Sequence, residues 1–246
     1  MAELTQRERQ DWLAALAARS RREPPGGELA QQIREVARGC RLPLAESIQK
    51  QLGPFDARHL RALLEVPRER FVHPDDVARS ADDTPLPLDD QGLSTISAPH
   101  AYCLSFRLVE LAPGDALVEL GTGSGYGAAL AAFIVGPSGS VVTFEIDDVL
   151  VHWAARTLAD QPNVTLIHAD AEASASSWGR ACKIIATFAV ESIPPAWTAA
   201  LPEGGRLVAP VGVRDDQRLV LVRRERGHVV RTDHGAVRYV TNRSGR

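Results

Sequence analysis

Apolar and polar positions along the middle of the chain predict strands and helices in alternation. Short apolar runs typical of buried strands occur at residues 116–120, 141–145, 164–168, 184–188 and 206–211. Apolar residues at helical spacing predict intervening helices at 126–135, 148–160 and 194–201. Strands and helices in this order build a doubly wound sheet with helices on both faces. We therefore expect an α/β, Rossmann-like fold.

The two ends of the chain depart from this alternation. Near the C-terminus, residues 219–223, 229–231 and 237–240 have strand patterns, which predict an antiparallel hairpin added to the sheet edge. Towards the N-terminus, helical patterns occur at residues 4–22, 28–38, 56–64 and 101–111. We expect residues 1–55 to form an N-terminal helical extension and residues 56–246 to form the main domain.

Composition and charge narrow the class of protein. The 246 residues are 44% hydrophobic and 24% charged, which is enough for one full α/β core with an appendage. The net charge of −3 gives no general attraction to nucleic acid or to an anionic membrane. Neither kind of partner is therefore expected.

The cysteines and histidines indicate neither a metal site nor a disulfide framework. Cys40, Cys103 and Cys182 are widely spaced, and no HxxxH or HExxH pattern occurs. The N-terminus lacks an apolar signal region, and the longest apolar run, around residues 128–135, is too short to span a bilayer. We expect a cytoplasmic protein without a metal ion.

Three alternating glycines lie on the turn between the first predicted strand of the sheet and the following helix. Gly121, Gly123 and Gly125 let the backbone approach a ligand that faces the helix N-terminus. A dinucleotide fingerprint would place its third glycine where Tyr126 stands. Glu119 would repel a pyrophosphate but could accept hydrogen bonds from the ammonium of an amino acid. This pattern favours S-adenosylmethionine over NAD.

Two further acids follow the next strands in the order that such a ligand requires. Glu145 ends the second strand, where a carboxylate can bind ribose hydroxyls, and Asp170 follows the third, where it could accept from the adenine amino group. A single acid after a strand is more often a solvated turn residue or a helix cap. The order of all three acids indicates one ligand.

Five motifs together resemble one known family. They are VPRERFV at 66–72, LPL at 86–88, TISAPH at 95–100, LGTGSGY at 120–126 and EGGRLV at 203–208. In this order they are similar to protein-L-isoaspartate O-methyltransferases, over roughly residues 60–240. The resemblance implies a class I methyltransferase sheet. It also implies an S-adenosylmethionine-dependent carboxyl methyltransferase for protein repair, which esterifies the α-carboxylate of isoaspartyl residues so that it can collapse to succinimide.

The resemblance also assigns site residues. Ser97 corresponds to the family's active-site serine. Together with the glycines and acids, it gives a predicted cofactor-binding set of Thr95, Ile96, Ser97, Glu119, Gly121, Thr122, Gly123, Gly125, Glu145, Ile146, Asp170 and Ala171. The predicted substrate contacts are Ser97, His100, Thr187 and Phe188. His100 either contacts the substrate or ties down its own loop.

The chemistry explains why few catalytic groups are visible. A carboxylate is already an anion at neutral pH, so its attack on a sulfonium methyl needs no general base. Ser97 would orient one carboxylate oxygen. The alternative is that Ser97 caps the following helix or satisfies a loop carbonyl.

Departures from the family pattern leave the substrate open. Relatives have a small residue where this chain has Phe188, so we expect weak activity on generic isoaspartyl peptides and a gain on Phe188→Ala. One alternative is a related enzyme that methylates a carboxylate of one specific peptide. Another, favoured if Ala171 and Phe188 close the site, is a catalytically silent cofactor-binding module. A nucleic-acid methyltransferase is disfavoured by the acidic balance. The sequence leaves the oligomeric state open.

Overall fold

Nine strands, six α-helices and three short 3₁₀ helices have defined bounds in the computed structural model, which describes residues 27–53, 56–179 and 181–242, together with 5, 7, 8, 11, 12 and 15. The strands are β1 (Leu86–Pro87), β2 (Thr95–Ile96), β3 (Ala116–Leu120), β4 (Ser140–Glu145), β5 (Val164–His168), β6 (Lys183–Ala186), β7 (Arg206–Val213), β8 (Asp216–Glu225) and β9 (His228–Val237). The helices are α1 (Gly27–Leu52), α2 (Ala57–Glu65), α3 (Pro99–Leu108), α4 (Tyr126–Val135), α5 (Asp148–Thr157) and α6 (Pro195–Ala200).

A seven-stranded sheet with the order β5-β4-β3-β6-β7-β8-β9 forms the centre of the molecule. Strands β5 to β7 in this order are parallel, and β8 and β9 continue the sheet antiparallel. Along the chain, β4 and β5 are added on one side of β3, and β6 to β9 are added on its other side. The junction of β3 and β6 is therefore a switch point, where open α/β sheets bind ligands beyond the carboxyl ends of their strands. This confirms the predicted fold class.

Several predicted elements are confirmed with their boundaries, and two others end earlier than predicted. The strands at 116–120 and 164–168 and the helix at 126–135 match β3, β5 and α4. The strand predicted at 184–188 ends at Ala186, because Thr187 and Phe188 leave the sheet and line the cleft described below. The helix predicted at 148–160 stops at Thr157, whose hydroxyl donates to the Ser124 carbonyl.

The antiparallel addition at the C-terminus is confirmed, but the separate strand predicted at 237–240 is wrong. β8 and β9 pair along most of their length, and β9 ends at Val237. The chain then runs beside the end of β6, where the Ala189 N–H donates to the Val240 carbonyl at 2.8 Å and the Asn242 N–H donates to the Ala189 carbonyl at 2.9 Å. These backbone bonds bring the C-terminal segment over the carboxyl end of the sheet.

Helix α1 extends well beyond the predicted 28–38 and joins the core. It continues through Pro43, although a proline inside a helix costs one hydrogen bond and roughly 3 kcal/mol. Leu44 and Ile48 are buried in the same cluster as Leu63 of α2, and this burial offsets that cost. The division at residue 55 stays a prediction. Most of the helix predicted at 4–22 lies outside the described residues, within which no helix is long and apolar enough to cross a membrane.

Candidate active site

A cleft opens over the carboxyl ends of β3, β4 and β6. The predicted site residues that line it are Thr95, Ile96, Gly121, Thr122, Gly123, Glu145, Ile146, Asp170, Ala171, Thr187 and Phe188. We call it the first cleft. These residues come from five different segments of the chain, since strand ends from both sides of the switch point converge with the β2 segment.

A second cleft lies beside the first, and it contains the predicted catalytic serine. Ser97 and His100 line it, together with the end of β9 and the following residues, Ala236 to Val240. Thr95 and Val240 line both clefts. The predicted cofactor and substrate residues therefore fall into two adjoining cavities.

The glycine turn places the backbone close to the first cleft. Gly121 has φ +94°, a conformation that residues with a side chain rarely adopt. A Cβ at Gly121 would lie 2.5 Å from Thr187 Oγ1 and 2.9 Å from Phe188 Cδ1. Any side chain there would push both neighbours out of place. Gly125 does not line the cleft, and instead takes the left-handed position immediately before α4.

Glu145 joins the end of β4 to the glycine turn. It is 5% exposed, and its Oε2 accepts from the Gly123 N–H at 2.7 Å. Its Oε1 accepts from the N–H groups of Ile146 and Asp147 at 2.9 and 3.0 Å. Each carboxylate oxygen can accept more than one bond, so ribose hydroxyls can still donate to Glu145 from the cleft.

Glu119 does not line the first cleft. Its carboxylate is 3% exposed and lies beneath α4, where it accepts from Thr143 Oγ1 at 2.7 Å. A Cβ at Gly127 would lie 2.0 Å from Glu119 Oε1, so α4 approaches this closely only because residue 127 is glycine. Burial, opposed by the Thr143 bond, raises the pKa of Glu119 to about 8. Its predicted contact with a ligand ammonium stays a prediction.

A hydrogen-bond chain connects Glu119 with the cleft. Thr143 Oγ1 lies 2.6 Å from Thr122 Oγ1, and Thr122 lines the first cleft. When Thr143 donates to Glu119, its oxygen can only accept from Thr122. The acid thus reaches the cleft through two hydroxyl groups.

The polar lining of the first cleft is acidic. Glu145 and Asp170 contribute carboxylates, and no lysine, arginine or histidine is found among the described residues that line it. Asp170 is half-buried and accepts from the Glu172 N–H at 2.9 Å. Ile146, 40% exposed, and buried Ala171 add apolar surface. Such a lining suits an uncharged or cationic ligand and disfavours phosphate groups.

Ser97 lies between β2 and α3 and is held by its backbone. Its N–H donates to Tyr102 Oη at 3.2 Å, and its carbonyl accepts from Arg68 Nη2 at 3.1 Å. The residue at the N-cap of α3 is Ala98, so Ser97 is not the helix cap. Burial raises the pKa of Tyr102, with a further rise from the Glu119 charge, so its hydroxyl stays protonated. Tyr102 also lines the first cleft.

His100 contacts its own loop and also faces the second cleft. Its Nδ1 and its backbone N–H both lie 3.0 Å from Asp83 Oδ1. Burial alone would raise the pKa of Asp83, but the bonds from His100 hold it below its usual value. The side chain of His100 remains 36% exposed. Both roles expected from the sequence are therefore compatible with its position.

Thr187 and Phe188 line the first cleft beside the glycine turn. The Thr187 hydroxyl donates to the carbonyls of Leu120 and Gly121, at 3.1 and 2.5 Å. The Phe188 ring packs edge-on against Trp197, with centroids 6.3 Å apart. Neither residue is among those that line the second cleft with Ser97. Their predicted substrate contact stays a prediction.

Sequence reasoning missed part of the lining. Leu93, Ser94, Tyr102 and the C-terminal residues 240–242 also line the first cleft. The C-terminal residues carry no local signal, because only the backbone bonds to Ala189 bring them to the cleft. Tyr102 could have been found, since it lies five residues after Ser97 at the start of a helix. Among the described residues, no cluster of histidine, cysteine, aspartate or glutamate could hold a metal ion.

Known proteins share this fold and these motifs. The chain is 38% identical to a protein-L-isoaspartate O-methyltransferase of Methanothermobacter thermautotrophicus over 167 residues, which cover 67% of this chain and 76% of the relative. It is 39% identical to one of Pyrobaculum arsenaticum over 200 residues, covering 80% and 95%.

Two solved structures agree in fold. A protein-L-isoaspartate O-methyltransferase, 27% identical, superposes with a TM-score of 0.73 over 82% of this chain and 65% of its own length. An enzyme described as a putative one from Plasmodium falciparum, in complex with S-adenosyl-L-homocysteine, is 22% identical and also has a TM-score of 0.73, over 83% and 99%.

These relatives, together with the fold, identify the chain as a methyltransferase. The model of the protein-L-isoaspartate(D-aspartate) O-methyltransferase family matches residues 44–246, and the chain belongs to this family. This confirms the family expected from the five sequence motifs.

Proposed function

We propose that this chain transfers a methyl group from S-adenosylmethionine to the α-carboxylate of isoaspartyl residues in damaged proteins or peptides. One observation carries the proposal. An acidic cleft without basic side chains among its described lining adjoins a second cleft that contains Ser97 and His100. Family membership supports the same reaction.

The residues of the first cleft fit S-adenosylmethionine. Glu145 would accept from the ribose hydroxyls while the Gly123 N–H keeps its carboxylate in place. Asp170 would accept from the adenine amino group, and Ile146 would pack against the adenine ring. Gly121 has no Cβ, which would collide with Thr187 and Phe188, so the turn can pack closely against these two residues of the lining. When bound, the cofactor supplies a methyl group on a positively charged sulfur, a charge that this acidic lining tolerates.

The residues of the second cleft need only position the methyl acceptor. An isoaspartyl carboxylate has lost its proton at neutral pH, so no side chain has to remove one. Ser97 would donate a hydrogen bond to one carboxylate oxygen and leave the other directed towards the methyl group. Correct placement of two reactants can supply on the order of 7–11 kcal/mol of the barrier. Positioning is therefore the main contribution of this cleft.

Labelled S-adenosylmethionine tests the proposal directly. The purified chain is incubated with an isoaspartyl peptide and, in parallel, with its aspartyl twin. We expect base-labile methyl esters on the isoaspartyl peptide alone. Label on neither peptide, with S-adenosylhomocysteine still bound, would favour the silent binding module. When isoaspartyl peptides of several different sequences are compared, label on one sequence only would favour the specific-peptide enzyme.

Ser97→Ala tests the role of the serine. We expect a lower kcat, corresponding to a rise of roughly 1–3 kcal/mol in activation free energy, because one hydrogen bond to a charged group is lost. Affinity for S-adenosylhomocysteine should stay within twofold. Ser192→Ala, a change at an exposed serine outside the lining of both clefts, is the control. An unchanged kcat in Ser97→Ala would return Ser97 to a structural role.

A cytoplasmic location also stays a proposal. It rests on cysteine usage, since all three cysteines are free and both Cys40 and Cys103 are buried.

A further inference from the structure

Arg68 is a buried cation that bonds to the Ser97 carbonyl at the second cleft without lining that cleft itself. The residue is 1% exposed and sits in a single 3₁₀ turn after α2. Its Nη1 donates to the carbonyls of Ser80 and Asp82 at 3.1 and 2.9 Å. Its Nη2 donates to the carbonyls of Thr84 and Ser97 at 2.8 and 3.1 Å. The four terminal N–H groups of the guanidinium thus match four carbonyl acceptors.

One of these four carbonyls belongs to the segment that carries Ser97 and His100, and the other three belong to the neighbouring segment, residues 80–84. One is the carbonyl of Ser97 itself. Two others flank Asp83, whose carboxylate accepts from both the ring and the backbone N–H of His100. Arg68 therefore fixes Ser97 directly and His100 through Asp83.

We propose that Arg68 is a positioning residue for the methyl acceptor: its four-carbonyl contact sets the positions of Ser97 and His100 in the second cleft. The expected effect on methylation of an isoaspartyl peptide rests on the proposed function. The geometric part of the inference, that Arg68 orders residues 80–84 and 97–103, holds for any ligand of that cleft.

Lysine cannot replace arginine in this role. An ammonium group has three N–H donors at one point, whereas the guanidinium spreads four terminal donors in a plane. Arg68→Lys keeps the positive charge and the apolar stem but loses the geometry. It thus separates the contact geometry from the charge.

Arg41→Lys is the matched control. Arg41 is also buried, at 4% exposure, and donates to the carbonyl of Leu64 and to Glu69. It lines neither cleft. A loss of stability from changing a buried arginine to lysine should therefore occur in both variants, whereas an effect on the substrate should occur only in Arg68→Lys.

Steady-state kinetics on an isoaspartyl peptide and calorimetry with S-adenosylhomocysteine test the proposal. For Arg68→Lys we expect the peptide KM to rise at least fivefold or kcat to fall at least tenfold, with the Kd for S-adenosylhomocysteine within twofold of wild type. For Arg41→Lys we expect a lower Tm and an unchanged peptide KM. Unchanged peptide kinetics in a folded Arg68→Lys variant, or equal changes in both variants, would overturn the proposal.

Asp83→Ala keeps the test decisive if Arg68→Lys does not fold. The side chain of Asp83 is 26% exposed, so its removal is easier for the fold to accommodate. Since it removes only the link to His100, we expect the peptide KM to rise about threefold to tenfold, with cofactor affinity unchanged. If Asp83→Ala leaves the peptide KM unchanged, the proposal fails.

Hydrogen exchange distinguishes failure of this inference from failure of the proposed function. If the wild-type chain methylates no isoaspartyl peptide, the proposed function is wrong, and exchange alone decides on Arg68. Faster exchange over residues 80–84 and 97–103 in Arg68→Lys, but not in Arg41→Lys, supports the ordering role. Equal exchange in both variants contradicts it.

Discussion

Phe188 shows how one side chain can belong to both the core and the cleft. Its ring packs against Trp197, and its Cδ1 would lie 2.9 Å from a Cβ at Gly121. It is half-buried and lines the first cleft with Thr187. The ring therefore packs beside the glycine turn and supports it.

Phe188→Ala should weaken both the fold and the cofactor site. Replacing a fully buried phenylalanine by alanine lowers the free energy of unfolding by about 3–5 kcal/mol. For this half-buried ring we expect a loss of roughly 2 kcal/mol. We expect the Kd for S-adenosylhomocysteine to rise about threefold to tenfold, since the glycine turn loses its support. Denaturant unfolding and calorimetry measure the two effects.

Phe133→Ala provides the control, because Phe133 also packs partly buried against the core but lines neither cleft. It should lower stability and leave cofactor affinity unchanged. The sequence alone favours the opposite outcome for Phe188→Ala, a gain in kcat/KM on short isoaspartyl peptides. That gain, without loss of stability, would show that the ring limits access of the substrate.

At the scale of elements, β3 and β4 are joined by more than their backbone ladder. Thr143 is fully buried on β4, where it donates to Glu119 on β3 and bonds to Thr122 on the glycine turn. The parallel register places Thr143 directly beside Glu119. The position of the turn thus depends on a side chain in the neighbouring strand.

Thr143→Val removes this hydroxyl and keeps the shape of the side chain. A buried carboxylate that loses a donor should cost about 1–3 kcal/mol of unfolding free energy. We also expect the Kd for S-adenosylhomocysteine to rise about tenfold, because Thr122 loses its partner. Thr143→Ser restores the hydroxyl and should recover affinity. Wild-type affinity in Thr143→Val would show that the chain of hydroxyls does not influence the cleft.

The elements that sequence patterns predicted well are those whose signals are local. β3, the glycine turn and α4 follow from one apolar run, three glycines and an alanine-rich segment. The extent of α1 does not, since Pro43 and Gly39 interrupt its pattern and tertiary burial of Leu44 and Ile48 maintains the helix. The alternating pattern after Val237 wrongly predicts a separate strand. The segment instead bonds to Ala189, a contact that local sequence cannot reveal because the two are remote in the chain.

The site residues also divide into those that local sequence signals predicted and those that tertiary structure placed. Glu145 and Asp170 were predicted from strand ends, and both line the first cleft. Glu119 was predicted by the same reasoning, yet it lies beneath α4. The difference depends on Gly127, which admits the carboxylate under the helix. Arg68 was noticed only as part of a motif, because its four acceptors come together through tertiary structure.

At the scale of the whole molecule, α1 is continuous with the methyltransferase core. Arg41 pairs with Glu69 at 2.6 Å, and both side chains are nearly inaccessible. Ile48 and Cys40 are fully buried. The family match also begins within α1, at residue 44. These contacts favour a domain that includes α1.

Truncation tests where the domain begins. A chain that starts at residue 27 should retain a cooperative unfolding transition, because the core contacts of α1 remain. A chain that starts at residue 56 loses Leu44 and Ile48 from the core, and each buried aliphatic side chain contributes about 1.5–3 kcal/mol. We expect this shorter chain to unfold at a Tm at least 10 °C lower, or to lack a transition. Equal Tm values would make residues 27–55 a true appendage.

Glu119 should make the stability of the whole molecule depend on pH. Burial raises its pKa from 4.5 to about 8, so the folded state holds the proton more tightly than the unfolded state. The contribution of Glu119 to the free energy of unfolding is therefore complete below about pH 4.5 and is lost as the pH rises to about 8. Asp83, whose pKa is lowered, acts with the opposite sign but only in the acid range below this window.

Glu119→Gln replaces the acid by a side chain that stays neutral. The free energy of unfolding of the wild type, relative to that of the variant, should fall between pH 5 and pH 8, by up to about 1.4 kcal/mol per pH unit. Urea unfolding at pH 5, 6, 7 and 8 measures this difference. Glu65→Gln, which removes one carboxylate from an exposed ion pair with Arg38, controls for the change in net charge. Parallel curves for wild type and Glu119→Gln would contradict the raised pKa, and Glu119 would then be ionised under α4 throughout this range.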